Sequence, residues 1–267
     1  MATVQELYEL WAGESEVQAE LRCSLAPRGR EWLFELFAEL RPQPGQLLLD
    51  AGARDASHTI RLVREHALRA VALDPVPRHV ELARRAVAEG GLEDAIEVVE
   101  AAMEELPLAD ASTDWIWCRD VLGHVDARRA LAECGRVLRP GGKMLAYVTL
   151  ATPRLEPLEA AELSDALALN RDSLDGRAFD AAAAAAGLAL VTAVQLGSEW
   201  RERMIEDAEW DPAADALELA RLRRREAELV EAHGAASVAA AAGGRLWGLY
   251  QLLGKLRPTV FVWERRA

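Results

Sequence analysis

Short apolar runs alternate with helix-like segments over the first half of the chain. The runs long and apolar enough for buried strands are residues 47–50, 70–73, 96–100, 115–118 and 143–150. Apolar residues at helical spacing predict helices over about 57–66 and 127–138, and another that stops at Gly90-Gly91. Strands that alternate with helices at this interval predict βαβ units and a mostly parallel sheet.

The pattern changes toward both ends of the chain. Residues 1–40 have helical spacing, whereas 188–196 and 259–263 have the character of two late strands that form a hairpin pair. A long helical pattern lies between those strands. We therefore predict a doubly wound, mostly parallel, seven-stranded Rossmann-like α/β sheet. Its predicted parts are an N-terminal helical cap (1–44), the α/β core (45–200), a helical lid insertion (201–257) and the last strand of the core (258–267).

The loop after the first predicted strand is the candidate binding site. The apolar run ends at Asp50, and Gly52 allows a sharp turn at the carboxyl edge of the sheet, where open α/β sheets bind ligands. A dinucleotide site requires further glycines, but Arg54 occupies the second glycine position. Asp74 ends the second strand, where its carboxylate can accept both hydroxyls of a ribose. Two acids at neighbouring strand ends suit a phosphate-free adenosine with a cationic amino-acid tail.

Four segments in this order resemble one known family. They are Leu48–Ala56 (a glycine-rich first motif), Val71–Asp74 (a ribose-binding strand end), Glu104–Asp114 (a loop before strand four) and Arg136–Gly142 (a turn into strand five). The chain resembles class I S-adenosylmethionine-dependent methyltransferases of the small-molecule type, similar to those of quinone biosynthesis. The resemblance implies methyl transfer from S-adenosylmethionine to a small organic molecule, with S-adenosylhomocysteine as the product.

The same resemblance implies a set of cofactor-binding residues. They are Asp50, Ala51, Gly52, Ala53, Arg54, Asp55, His58, Asp74, Pro75, Ala102, Met103, Glu104, Arg119 and Asp120. The chain departs from the family where Arg54 and Ala56 replace glycines, and where Ala102 replaces an acid that often contacts adenine. Arg54 has two interpretations. It pairs with the cofactor's carboxylate, or the cluster only caps the next helix through Asp55 or Ser57.

Catalytic and acceptor-binding residues are predicted more loosely. His124 and Glu199 are candidate general bases, although a histidine at position 124 can equally orient a loop. The aromatic residues that could line an acceptor pocket are Tyr8, Trp11, Trp200, Trp210, Trp247 and Tyr250. Ordinary helix packing is the alternative for each of them.

Composition narrows the range of functions. The net charge of −13 argues against nucleic-acid and anionic-membrane partners, and no apolar run is long enough for a membrane span. No metal-ligand spacing is present. We expect a cytoplasmic, bacterial protein that acts on a small molecule; a homodimer is one option for its assembly. Two alternatives stay open: a non-methylating rearrangement on the same scaffold, and a non-enzymatic binding partner.

Overall fold

The computed structural model describes residues 3–12 and 16–266, which form one seven-stranded sheet with strand order β3-β2-β1-β4-β5-β7-β6. The strands are β1 (Leu47–Ala51), β2 (Arg69–Asp74), β3 (Ile96–Glu100), β4 (Thr113–Arg119), β5 (Leu138–Ala151), β6 (Leu188–Gln195) and β7 (Leu256–Arg265). The helices are α1 (Val4–Ala12), α2 (Glu16–Leu21), α3 (Glu31–Glu39), α4 (Ser57–His66), α5 (Pro77–Glu89), α6 (Ala127–Val137), α7 (Pro157–Leu167), α8 (Gly176–Ala185), α9 (Glu199–Glu206), α10 (Pro212–Arg224), α11 (Glu226–His233) and α12 (Ala235–Leu252), with a 3₁₀ helix over Arg171–Leu174. In this part of the chain, no helix combines the length and the hydropathy that crossing a membrane requires.

The central strands are apolar on both faces because helices cover both. Leu48 of β1 packs with α3, α4 and α5, whereas its neighbour Leu49 packs with α6 and α8 on the opposite face. The same alternation separates Trp115 from Ile116 on β4. A strand buried on both faces has a continuous apolar run rather than an alternating one. The predicted doubly wound fold is confirmed.

One strand of the sheet runs opposite to the other six. Strand β7 lies between β5 and β6 and is antiparallel to both, as expected for the hairpin pair. Helices α9 to α12 lie between β6 and β7 in the chain. The lid and cap boundaries drawn from the sequence stay predictions.

Strand β5 begins earlier than the sequence predicts. It starts at Leu138, which pairs with Thr113, and the pairing resumes at Lys143 opposite Trp115. The prediction that helix α6 extends to Leu138 and that a turn over 139–142 precedes the strand was therefore wrong. Those four residues form a bulge within β5, where Gly141 adopts a φ of 79°.

The strand order places a cleft beside β1. The chain runs outward from β1 to β2 and β3, then returns to the other side of β1 at β4. At such a switch point the flanking helices diverge and leave a crevice outside the carboxyl ends of the strands. Asp50, Asp74 and Arg119 lie at or next to the ends of these strands.

Helices α6 and α8 pack closely at Gly135. A Cβ at this position would lie 2.2 Å from the backbone oxygen of Ala186. We expect Gly135→Ala to lower the free energy of unfolding by about 1–3 kcal/mol, because overpacking against backbone outweighs the gain in helix propensity. Gly244→Ala is the matched control, since nothing lies within 4 Å of its Cβ position in α12. It should raise stability by about 0.5–1 kcal/mol in urea unfolding. Equal effects of the two substitutions would contradict this account.

Candidate functional site

The loop that joins β1 to α4 keeps a glycine-like backbone despite its side chains. Gly52 has a φ of 81°, and Arg54 and Ala56 also adopt left-handed values of 52° and 58°. A Cβ at Gly52 would lie 2.2 Å from Val121 Cγ2, so the loop also requires a glycine there for close packing. Left-handed non-glycine residues cost roughly 1–2 kcal/mol each. The loop thus retains the shape of the glycine-rich motif where two of its glycines are replaced.

Asp50 is a buried carboxyl at the base of this loop. Only 3% of the residue is exposed, and Thr59 Oγ1 donates a hydrogen bond to Asp50 Oδ2 at 2.6 Å. Burial, together with the nearby negative charges of Asp74 and Asp55, raises the pKa of Asp50 to about 7. The site therefore holds a carboxyl that is close to half protonated at neutral pH.

Asp74 is held by three donors at the end of β2. The backbone N–H of Arg54 donates to Oδ2 at 2.9 Å, and that of Val76 donates to Oδ1 at 3.0 Å. His79 Nδ1 lies 3.0 Å from the same Oδ1. Since a carboxylate has about four lone-pair positions, one position on Oδ2 stays open. His79 is partly exposed, and turning its ring away would free a second.

Arg119, the last residue of β4, has donors that lack a hydrogen-bond acceptor, although its Nε lies 3.7 Å from Asp120 Oδ2 in an ion pair. His58 Nε2 lies 3.1 Å from Arg119 Nη1, and the indole N–H of Trp117 donates to His58 Nδ1 at 3.3 Å. Burial and the charge of Arg119 lower the pKa of His58 to about 4, so its ring is neutral and has one acceptor nitrogen. That ring cannot accept from both donors. Arg119 Nε is also buried without a hydrogen-bond partner among the described residues.

A polar cavity of about 670 Å³ connects these groups. The predicted cofactor residues that line it are Asp50, Gly52, Ala53, Arg54, Asp55, His58, Asp74, Pro75, Arg119 and Asp120. The two interpretations of the loop prove compatible. Asp55 accepts a hydrogen bond from the N–H of Ser57 at 3.1 Å at the start of α4, whereas Arg54 lines the cavity.

A second, smaller cavity adjoins the first. Its volume is about 280 Å³ and its walls are largely apolar, formed by Val148, Leu167, Leu169, Leu174 and Trp247 together with Gly123, Tyr147, Thr149 and Gly244. Asp120 and His124 line both cavities. The two cavities therefore meet at these side chains.

Asp120 lies at this junction in a strained conformation. Its φ is 57°, which is uncommon for aspartate, and its backbone N–H donates to the carbonyl oxygen of Tyr147 at 3.1 Å. Although its side chain is 45% exposed to the open cavities, protein surrounds it on the other sides. That burial raises the pKa of Asp120 to about 6, against the lowering effect of Arg119, Arg201 and His124.

His124 is oriented by a backbone carbonyl. Its Nδ1 lies 3.3 Å from the oxygen of Ala168. Because a carbonyl only accepts, this contact requires a proton on Nδ1 and leaves Nε2 as the acceptor nitrogen. The loop-orienting role and the base role predicted for His124 are therefore both compatible with the geometry.

Four predicted cofactor residues do not line the polar cavity. Ala51 and Met103 are buried in the core, so neither can flank a ligand there. Ala102 is exposed. Glu104 accepts a hydrogen bond from the N–H of Asp126 at 3.2 Å, which ties the loop to the start of α6. The predicted cofactor-binding role of Met103 does not fit the place of its side chain in the core.

Glu199, the second candidate base, forms an ion pair instead. Its carboxylate accepts from Arg28 Nε at 2.7 Å, and this interaction lowers the pKa of Glu199. It lines neither of the two adjoining cavities. Glu199 therefore ties the segment before α3 to α9, and a role in proton transfer does not fit its position.

Of the six predicted aromatic pocket residues, only Trp247 lines the apolar cavity. Tyr8 and Trp11 contact each other on the exposed helix α1. Trp200 is buried against Tyr147, with ring centroids 4.7 Å apart. The other two are fixed by hydrogen bonds: Trp210 donates to Asp215 at 2.7 Å, and Tyr250 donates to Glu159 at 3.2 Å.

Several lining residues were missed from the sequence. His79 of α5 was not among the predicted site residues, yet it contacts Asp74 and lines the polar cavity. Tyr147 and Thr149 were treated only as part of a strand. A signal for them existed: residues at i and i+2 share one face of a strand, and the end of β5 lies beside the end of β4.

Part of the chain that forms this site matches a known protein family. A family model described as a methyltransferase domain matches residues 49–146, from β1 into β5. The chain contains a class I methyltransferase domain. The resemblance found in the sequence is thereby confirmed. Among the described residues, no group of three or more His, Cys, Asp or Glu is arranged to hold a metal ion.

Curated relatives of the methyltransferase domain cover part of the chain. The dimethylglycine N-methyltransferase of Parasynechococcus marenigrum is 34% identical over 148 residues, which is 51% of each chain. The ubiquinone biosynthesis O-methyltransferase of Methylocella silvestris is 37% identical over 107 residues, or 40% of this chain and 41% of the relative. The chain thus spans about half or less of the length of these relatives.

A solved structure extends the likeness of the fold. The geranyl diphosphate C-methyltransferase of Streptomyces coelicolor, in complex with Mg²⁺, geranyl diphosphate and S-adenosyl-L-homocysteine, superposes with a TM-score of 0.67. The superposition covers 98% of this chain and 82% of that one, at 15% sequence identity. At this identity the likeness shows the fold alone.

Proposed function

We propose that this protein transfers a methyl group from S-adenosylmethionine to a small organic acceptor. The observation that carries the proposal is the pair of cavities that meet at Asp120 and His124. The polar cavity offers groups suited to a charged nucleoside, and the apolar cavity offers room for an acceptor beside it. Methyl transfer requires the two reactants in line, and holding them so is most of the catalysis.

In this proposal Asp74 accepts hydrogen bonds from the ribose. Arg119 binds the carboxylate of the cofactor's amino-acid tail, because its buried Nε makes no hydrogen bond in the described structure and the neutral His58 satisfies its Nη1 poorly. Arg54 lines the same cavity and would share that charge. Asp50, which also lines this cavity, would interact with the cationic parts of the tail.

When bound, S-adenosylmethionine supplies a methyl group that its sulfonium already activates. The new bond joins that carbon to a nucleophilic atom of the acceptor as the carbon–sulfur bond breaks. If the nucleophile carries a proton, Asp120 is placed to take it, with His124 as the second candidate. Nothing in this step requires Glu199.

Proton release on binding tests the cofactor part of the proposal. The folded-state pKa of Asp50 is raised to about 7, so the empty site holds a proton there below pH 7. A cationic ligand lowers that pKa, and further desolvation is small because the carboxyl is already buried. S-adenosylmethionine should therefore release roughly 0.5–0.8 of a proton between pH 7 and pH 6.5, and its affinity should fall as pH drops below about 7, by up to tenfold per pH unit.

Calorimetry in two buffers with different ionisation enthalpies measures this release. S-adenosylhomocysteine, which lacks the sulfonium charge, should release fewer protons, and Asp50→Asn should release none from this group. Heats that do not depend on the buffer would contradict the assignment. Label from methyl-labelled S-adenosylmethionine should then appear in an acceptor. Binding of both compounds without transfer would favour the non-methylating alternative, and no binding would favour the non-enzymatic one.

A further inference from the structure

We propose that the apolar cavity selects an uncharged acceptor, a largely apolar molecule with a hydroxyl or amino group, and discriminates against anionic acceptors. This inference rests on the proposed methyl transfer and specifies its acceptor. Three features of the cavity support it: its walls, one buried hydroxyl, and the sign of the charge at its mouth.

The walls come from elements far apart in the chain. Leu167 ends α7 and Leu169 lies two residues beyond it, Leu174 ends the 3₁₀ helix, and Trp247 comes from α12. Side chains of this kind remove water from whatever enters. An ionised carboxylate or phosphate would lose its hydration against them, whereas an apolar skeleton gains from the same contact.

A polar group in the wall lacks a partner. Thr149 is 5% exposed, and its Oγ1 makes no hydrogen bond within the described structure. The hydroxyl of Tyr147 is its candidate hydrogen-bond partner within the protein, but the pair does not meet hydrogen-bond geometry, so the Thr149 hydroxyl is free to turn to a ligand. A buried hydroxyl left unpaired is costly. A ligand hydroxyl or amine in the cavity would satisfy it.

A second unpaired hydroxyl lies behind the same wall. Ser173 is 3% exposed, and its Oγ makes no hydrogen bond to any described residue. It lies 3.9 Å from the Cβ position of Gly123, which lines the cavity. Away from Asp120 and His124 at its mouth, the polar groups of this pocket are therefore hydroxyls, which recognise neutral donors and acceptors.

Asp120, whose carboxylate repels an anion, stands where the two cavities meet. Its ion-pair partner Arg119, with Nε 3.7 Å from Asp120 Oδ2, lines the polar cavity and not the apolar one, and in the proposed complex it binds the cofactor's carboxylate. The nearby cation of Arg201 is engaged elsewhere. Its Nε donates to Gln251 at 2.7 Å, and its guanidinium lies 5.1 Å from the centre of the Trp210 ring.

This chemistry differs from that of the acceptors named for two relatives. Dimethylglycine carries a carboxylate, and geranyl diphosphate carries a diphosphate. Neither group has a matching cation among the residues that line this cavity. We therefore do not expect this chain to use the acceptor of either relative.

A matched pair of probes tests the selectivity. 2-Naphthol and 2-naphthyl phosphate share one apolar skeleton and differ in charge. Calorimetry with the full chain, with and without saturating S-adenosylhomocysteine, should give 2-naphthol a dissociation constant at least tenfold lower than that of the phosphate. Thr149→Val should weaken 2-naphthol binding by about threefold to tenfold, the effect of one lost hydrogen bond, and should leave S-adenosylhomocysteine binding unchanged.

The control is Thr192→Val, the same exchange on edge strand β6, which should leave both affinities as they are. The inference is overturned if the phosphate binds as tightly as 2-naphthol, or if neither probe binds. Failure of the proposed function would give a different experimental result. In that case S-adenosylhomocysteine itself does not bind, while the comparison of the two probes on the free protein still decides the selectivity of the cavity.

Discussion

Replacing Asp74 with alanine should weaken the binding of S-adenosylhomocysteine at least about 100-fold. The carboxylate is 6% exposed and would accept charge-assisted hydrogen bonds from the ribose, each worth about 1.5–3 kcal/mol. Two such bonds correspond to a loss of at least two orders of magnitude in affinity. The N–H groups of Arg54 and Val76 also lose their acceptor, so the loop that shapes the site loses its support.

Because the alanine variant can also destabilise the empty protein, a second variant keeps the test decisive. Asp74→Asn retains one oxygen acceptor and the same volume, and it should fold while losing most of the affinity. Glu100→Ala is the control, since Glu100 ends the neighbouring strand β3 directly beside Asp74 but is exposed. A folded Asp74→Asn protein that binds S-adenosylhomocysteine normally would refute the ribose assignment.

The core of the fold could be predicted because the burial of a strand is visible in its own sequence as a run of apolar residues. A central strand packed on both faces requires a continuous apolar run, and residues 47–49 of β1 form one. The start of β5 could not be predicted in the same way. The run over 139–142 has the composition of a turn, and only its pairing beside Thr113 shows that the strand continues through a bulge.

The candidate site was predictable where it depends on strand ends and unpredictable where it depends on distant contacts. Asp50 and Asp74 follow their strands directly, so a pattern of strands places them together. Glu199 has its partner 171 residues away, at Arg28, and no local pattern shows that ion pair. The walls of the apolar cavity likewise come from β5, α7, the 3₁₀ helix and α12.

The replaced glycines show how sequence and backbone can disagree. Arg54 and Ala56 suggest a loop that has lost the shape of the glycine-rich motif, yet both adopt left-handed values of φ. Local preference is overridden because the loop is fixed at both ends. The N–H groups of Gly52 and Ala53 donate to the carbonyl oxygen of Leu73 at 2.8 and 2.9 Å, and Asp74 holds the N–H of Arg54. Strain of this kind persists where the surroundings determine it, most often at functional sites.

For an acceptor that loses a proton, Asp120→Asn should lower the rate of methyl transfer by about 100-fold or more, which is the usual contribution of a positioned base. Binding of S-adenosylhomocysteine should change less than threefold, because the amide keeps the volume of the side chain. Asp120 lies between the two cavities, and burial raises its pKa to about 6. The groups that face it are Arg119 of β4, His124 of the following loop, Tyr147 of β5 and Arg201 of α9.

The pH dependence separates a base from a merely structural residue. A base with a pKa of about 6 is protonated and inactive below that pH, so the rate should rise through pH 6 and level off above 7, and the asparagine variant should lose this limb.

The stability of the protein should change with pH in the opposite direction from the rate. Folding raises the pKa of Asp120, so ionisation of this carboxyl at higher pH lowers the stability of the folded protein. Asp120→Asn should therefore raise the melting temperature at pH 8 but not at pH 4. Asp126→Asn is the control, because Asp126 caps α6 through the N–H of Arg129 at 3.1 Å and asparagine caps equally well. If Asp120→Asn keeps the full rate while His124→Asn loses it, the proton goes to His124 instead.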